Sequence, residues 1–174
     1  MDKSNDIHWY AIRTFHNKAT AVCRIADKEA IEWYTPVQDV EVVENERRII
    51  RKKPLLPSLL FLRCTTEFID KLKRLTNSNV LPYSHPGTMI PQVIEDRDME
   101  IFRFVTRTAA TLESIDEVQL ADKQQVRITG GIFAGATGHI CRIHGTKRFV
   151  VRIEGVAAVA TTFIPRQFIE PIEN

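Results

Sequence analysis

The sequence predicts an α+β domain, an antiparallel sheet flanked by helices, joined by a linker to a small five-stranded β-barrel. Three observations lead there. Up to residue 106, short β-branched and aromatic runs alternate with helical stripes of apolar residues. Residues 107–121 are polar and hold no firm period. From residue 122 onward, five short β-rich runs follow one another with Gly or Pro between them and no helical stripe. The expected domains are therefore 1–106 and 122–174, with 107–121 as the linker.

IHWYAIRT, Ile7 to Thr14, has the composition and length of a strand. Ala19, Val22, Cys23, Ala26 and Ala30 then recur at helical spacing, which predicts a first helix over 17–29. EWYTPV reads as a second strand broken by Pro36, and VQDVEVVENERRIIRKKPL as a charged, projecting hairpin with its turn near Glu44 to Glu46. SLLFLRC is a continuous apolar run of strand length, the pattern of a strand covered on both faces.

Thr65 or Thr66 can cap a second helix whose stripe is Phe68, Ile69, Leu72 and Leu75, running to Asn77. NSNVLPYSHPGTMIPQ is turn-rich, with a short strand at 80–83. Ile94, Ile101, Phe102 and Val105 mark a third helix opened by acidic residues. The five barrel runs are QVRIT, GHICRIH, KRFVVRIE, AAVATTFI and RQFIEPI.

No run reaches the roughly 18–20 apolar residues of a membrane span, and MDKSNDIHWY lacks a secretory pattern, so the chain is expected in the cytoplasm. Cys23, Cys64 and Cys141 are odd in number and widely spaced, which predicts reduced thiols. The formal net charge is +2. Residues 121–174 carry seven Lys or Arg against four Asp or Glu, and residues 1–106 sixteen against fifteen. Neither region is basic enough to hold bulk nucleic acid by charge alone. The strongest local patch is Arg47, Arg48, Arg51, Lys52 and Lys53.

GGIFAGAT, residues 130–137, has the frame of a phosphate-binding loop, but Ala136 stands where the lysine is needed and no helix follows. Gly131, Gly135 and Gly138 serve the bends of a small barrel instead. His139 and Cys141 would share a strand face while His144 points away, leaving no metal set. The carboxylates of EDRDME fall in a helix's first turn, where the dipole accounts for them. The residues point to no catalytic site, no cofactor and no metal.

KPLLPSLLFLR, residues 53–63, is almost wholly apolar yet holds Pro57. Leu60, Phe61 and Leu62 read as core strand, and Leu55, Leu56 and Leu59 around the proline as an exposed docking surface.

KQQVRITGGIFAGATGHICRI resembles the KOW motif that opens the C-terminal SH3-like barrel of the NusG family. HWYAIRT and KPLLPSLLFLR resemble the first and central strands of that family's N-terminal NGN domain. The resemblance implies a monomeric transcription elongation factor, not an enzyme. Its N-terminal domain would sit on the clamp helices of bacterial RNA polymerase, keep the elongating complex closed and reduce pausing.

Leu56, Pro57, Ser58 and Leu59 stand where the family has Phe-Pro-Gly-Tyr, which implies a polymerase pocket bordered by Leu55, Trp9 and Arg13. The pattern Pro-Leu-x-Pro-x-x-Leu-Phe also resembles the RfaH and UpxY paralogues, antiterminators of particular operons, those for polysaccharides among them. Asp70, Lys71, Leu72 and Lys73 fall where RfaH has His-Thr-Thr-Thr.

His16, Lys18, Arg24, Lys28 and Arg74, with the cluster Arg47 to Lys53, are the implied contacts to non-template DNA or nascent RNA. Phe133 and Ile153 are the implied barrel surface for ribosomal protein S10 or Rho; Glu154 replaces an aromatic there, which removes apolar burial. RfaH's C-terminal domain can fold as a helical hairpin, but Val126, Ile128, Val150, Val151, Ile153 and Val159 favour strands here. The alternatives are a general NusG protein and a KOW-type RNA-binding or ribosome-associated module.

Overall fold

The computed structural model describes residues 6–115, 124–161 and 164–172. Contacts divide the chain into two compact units, residues 1–35 with 56–96, and residues 36–55 with 97–174. In chain order the elements begin β1 (His8–Thr14), α1 (Ala19–Lys28), β2 (Glu32–Tyr34), β3 (Val37–Glu44), β4 (Arg47–Pro54), β5 (Leu59–Cys64), α2 (Thr66–Leu75), β6 (Val80–Pro82) and β7 (Val93–Ile94). They continue with α3 (Asp96–Thr108), β8 (Glu113–Ile115), β9 (Gln125–Ile128), β10 (Thr137–Ile143), β11 (Thr146–Ile153), β12 (Ala157–Ala160) and β13 (Ile169–Pro171).

The first unit is built on β1, which pairs antiparallel with β5 on one side and with β6 and β7 on the other, while β2 extends the sheet beyond β5. Strand alternation sends Tyr10, Ile12, Leu60, Leu62 and Cys64 to one face, where Val22, Ala26, Phe68, Ile69 and Leu72 of the two helices meet them. Each fully buried aliphatic or aromatic side chain contributes about 1.5–3 kcal/mol. Leu59 and Phe61 on the opposite face are buried too, so the apolar run is covered on both faces, as its composition predicts.

Thr65 is extended and its hydroxyl accepts the Phe68 N–H at 3.2 Å, the cap expected for α2. Ile94, expected in the third helix, instead pairs with Trp9 as part of β7, and α3 starts at Asp96. Its buried stripe is Met99, Phe102 and Val105.

In the second unit, β3 and β4 pair from Val37 opposite Pro54 to Glu44 opposite Arg47. The two-residue turn, Asn45 and Glu46, is left-handed at both positions, with φ 49° and 64°. The five expected barrel runs all contain strands, but the sheet has six strands among the described residues, in the order β13-β9-β10-β11-β12-β8. The added β8 comes from the stretch expected to be linker. It pairs along β12, and its Glu113 carboxylate accepts from Arg148 and lies 3.2 Å from His144 Nε2. His144 thus sits in the β10–β11 turn with φ 49°, not on a strand face. The C-terminal part of that linker, 116–121, lies outside the described residues.

Gly131 and Gly135 take φ 77° and 90°, as bends require. Gly138 differs: a Cβ there would lie 2.4 Å from the Val150 carbonyl oxygen, so it permits close strand approach instead of a bend. All three cysteines are free; Cys64 and Cys141 are buried and Cys23 half-buried. Among the described residues, no helix is long and apolar enough to cross a membrane.

Candidate functional site

Pro57 occupies the second position of a turn closed by the Leu59 N–H donating to the Leu56 carbonyl at 3.0 Å. A proline suits that position because its fixed φ is already the one a turn requires. The turn is fastened to the sheet: the Thr14 N–H donates to the Ser58 carbonyl at 2.8 Å, and the Thr35 hydroxyl donates to the Leu59 carbonyl at 3.3 Å. Leu56 is half-buried, and Pro57 and Ser58 are exposed. Leu59 is only 6 % exposed, which corrects the expectation of an exposed side chain. Its place opposite Arg13 in the β1–β5 ladder puts it within the sheet. Leu55 belongs to the second unit, half-buried, its N–H bonded to the Pro36 carbonyl at 2.8 Å.

At the same end of the sheet, Arg13 lies between Leu59 on β5 and Leu81 on β6. Its Nη2 donates to Tyr83 Oη at 3.2 Å, and its guanidinium carbon lies 5.4 Å from the Tyr83 ring centroid. Leu81 is exposed, so the cation stands beside an apolar side chain and an aromatic ring. Trp9 is a core residue of β1, facing Arg63 and Ile94 in the ladders. Sequence reasoning missed Leu81 and Tyr83; the signal was their alternate spacing in the short β-rich run 80–83, although β6 itself ends at Pro82.

Two left-handed turns meet next to this end. His16 and Asn17 have φ 51° and 56°, Asn77 and Ser78 have φ 52° and 58°. The Phe15 N–H donates to the Asn79 carbonyl at 3.0 Å, and His16 Nδ1 lies 2.8 Å from Asn79 Oδ1. Lys18 and Arg74 are exposed beside these turns in sequence, and Phe15 is an exposed aromatic there. Arg24 and Lys28 are exposed one turn apart on α1. On α2, Lys71 pairs with Glu29 at 2.8 Å and Lys73 with Asp70 at 3.2 Å, while Leu72 is buried.

All five cationic residues of the hairpin are exposed, in the second unit. Arg48 pairs with Glu41 at 3.4 Å and Arg51 with Glu44. Those partners neutralise part of the patch, leaving Arg47, Lys52 and Lys53 without an ion pair among the described residues.

The family model described as "Transcription termination factor nusG" matches residues 7–103, more than half of the chain. The chain belongs to the NusG family. No curated protein matches it. NusG-family proteins are transcription factors that bind RNA polymerase, and the matched stretch includes the Leu56 turn, Arg13, Tyr83 and the hairpin.

The barrel residues implied by the NusG resemblance take different positions. Phe133 and Ile153 are both buried, Phe133 with its ring centroid 6.2 Å from that of Phe149. The apolar side chain exposed in that loop is Ile132, at 62 %. Glu154 and Gly155 are exposed at the β11–β12 turn. Burial pushes the Cys64 thiol up to about 12 and raises that of Cys23, so these thiols stay protonated at neutral pH and are poor nucleophiles.

Proposed function

We propose that this NusG-family chain is an elongation factor whose N-terminal part binds the clamp helices of RNA polymerase through Leu56, Pro57 and the Arg13–Tyr83 pair. The observation that carries this reading is the fastened turn: an exposed proline and a half-buried leucine are held in fixed geometry next to a cation–aromatic pair. Preorganisation of this kind lowers the entropy that docking must overcome. The factor acts by binding energy alone. It reduces pausing only to the extent that it binds the closed, elongating polymerase more tightly than the open one.

The functional division runs along the sequence, with 1–106 as the polymerase-binding part and 122–174, extended by β8 from the stretch between them, as the KOW barrel. The end of the family match at residue 103 supports that boundary. His16, Lys18 and Arg74 around the paired turns serve non-template DNA, with exposed Phe15 as a surface on which a base can stack.

The Leu-Pro-Ser-Leu sequence and Glu154 support a specialised role, antitermination at particular operons. Exposed Ile132 supports a barrel that takes a protein partner such as ribosomal protein S10. Transcript mapping after deletion of the gene tests the specialised role. Loss of distal reads from a few long operons is the expected outcome; a genome-wide change would make the protein a general NusG factor.

A further inference from the structure

Between β6 and β7 the chain leaves the sheet as a tongue, residues 83–92, and returns to pair with β1 again. Its root is held by the Tyr83 N–H to the Ala11 carbonyl at 2.9 Å, the Gln92 N–H to the Tyr83 carbonyl at 2.8 Å, and a bridge between Ser84 and Pro91. Its tip is braced as well. The His85 N–H donates to the Ile90 carbonyl at 3.1 Å, the Thr88 N–H to the His85 carbonyl at 3.0 Å, and the Ile90 N–H to the Thr88 hydroxyl at 3.2 Å. Gly87, at φ 74°, allows the bend, and Pro86 and Pro91 stiffen both sides.

What this braced tip presents is apolar: Met89 is 88 % exposed and Ile90 65 %. Single exposed hydrophobic residues are ordinary, but an adjacent pair at the end of a hydrogen-bonded projection is held in a fixed place at the cost of leaving it in water. From Tyr83 to Ile94 there is no Lys, Arg, Asp or Glu. Beyond the imidazole of His85 the tongue offers no cationic side chain to phosphate, which disfavours nucleic acid as its ligand. Two side chains also fall far short of the roughly 800 Å² per partner of a standard interface, so the tip cannot hold a second copy of this chain by itself. It fits as the outlying part of a larger docking surface. The strip that leads to its root is exposed Arg13 and Leu81 with half-buried Tyr83, and its Arg13–Tyr83 pair is assigned above to polymerase.

We propose that the tongue is a second protein-docking element, inserting Met89 and Ile90 into an uncharged apolar cleft of the polymerase that Leu56 and Pro57 engage. This rests on the polymerase-binding reading. A methionine suits such a cleft because its unbranched thioether adapts to irregular apolar surfaces.

The test titrates core RNA polymerase from the source organism, free of nucleic acid, with the full chain, a Met89→Ser/Ile90→Ser variant and a Leu56→Asp variant. A photo-crosslinking residue at position 89 supplies the second readout. Both serine positions are exposed, so an unchanged urea midpoint is expected for that variant. The proposal predicts about a tenfold or greater loss of affinity in the serine variant, from burial lost at two side chains, and crosslinks from position 89 to a polymerase subunit. Wild-type affinity in the serine variant, with binding lost in Leu56→Asp, overturns the tongue and leaves the docking reading standing. Unchanged affinity in both variants overturns both. A loss confined to the serine variant upholds the tongue and removes Leu56 from the interface. Crosslinks from position 89 to nucleic acid or to a second copy of the chain overturn the proposal.

Discussion

Arg13 lies over the ring of Tyr83, 5.4 Å from its centroid, and also donates to its hydroxyl at 3.2 Å. The two side chains come from β1 and from the residue that follows β6, and each limits the rotamers of the other. An exposed cation–aromatic contact of this kind contributes about 0.5–1 kcal/mol, so its value lies more in aiming the guanidinium than in stability. Arg13→Ala and Tyr83→Ala should each weaken polymerase binding by roughly 1 kcal/mol, and the double variant by less than their sum. Tyr83→Phe keeps the ring and should lose less than Tyr83→Ala. A double-mutant cycle on polymerase affinity checks the coupling.

The helix ends of the first unit give opposite stability predictions. Thr65→Ala removes the acceptor of the Phe68 N–H and should destabilise the protein by about 1 kcal/mol. Ala30 follows α1 with φ 54°, a left-handed position where a β-carbon is unfavourable. Ala30→Gly should stabilise by up to about 1 kcal/mol, and urea denaturation of the two variants measures both signs.

Gly138→Ala should loosen the six-stranded sheet. The added methyl would sit 2.4 Å from the Val150 carbonyl oxygen and 2.6 Å from the Phe149 ring, and a paired backbone carbonyl cannot give way as a side-chain tip can. A cost of about 1–3 kcal/mol is expected, seen as faster amide exchange in β10 and β11 with exchange in β1 and β5 unchanged.

His139 should make stability fall in acid. Burial lowers its pKa below the ordinary 6.5, with the positive charge of Arg152 acting in the same direction and Glu154 against it. Its Nδ1 is buried without a hydrogen-bond partner. A depressed histidine binds fewer protons in the folded state than in the unfolded one. Its contribution is therefore at its most favourable above about pH 6.5 and is lost as pH drops toward the folded pKa. His139→Gln should flatten the slope of unfolding free energy against pH in that window.

Elements were legible where one local signal decided them. Most of the α1 and α2 stripes, the Thr65 cap, the hairpin turn at Asn45 and Glu46 and the strands of the five β-rich runs follow from spacing and residue type, whereas Ala30 falls beyond α1 and Leu75 is exposed. β8 was not legible, because Glu113, Ser114 and Ile115 are too few to show alternation; pairing with β12 and the Glu113 bond to Arg148 make that strand. Ile94 was misplaced because an apolar residue just before a helix fits its stripe as well as it fits a strand. For the candidate site, sequence pointed to Pro57 and Arg13, but burial depends on what packs over each side chain in the folded sheet. Leu59 is buried opposite Arg13, and Tyr83 acquires its role only through a residue 70 positions away in the chain.

The central claim is that Leu56 and Pro57 dock on RNA polymerase and thereby bias it toward the closed, elongating state. Pause lifetimes of cognate polymerase on a defined template, with saturating wild-type protein and with Leu56→Asp at the same concentration, test it most directly. The account predicts shorter pauses with the wild-type chain and, with a folded Leu56→Asp variant, lifetimes equal to those of polymerase alone. Shortened pauses with that folded variant would contradict it.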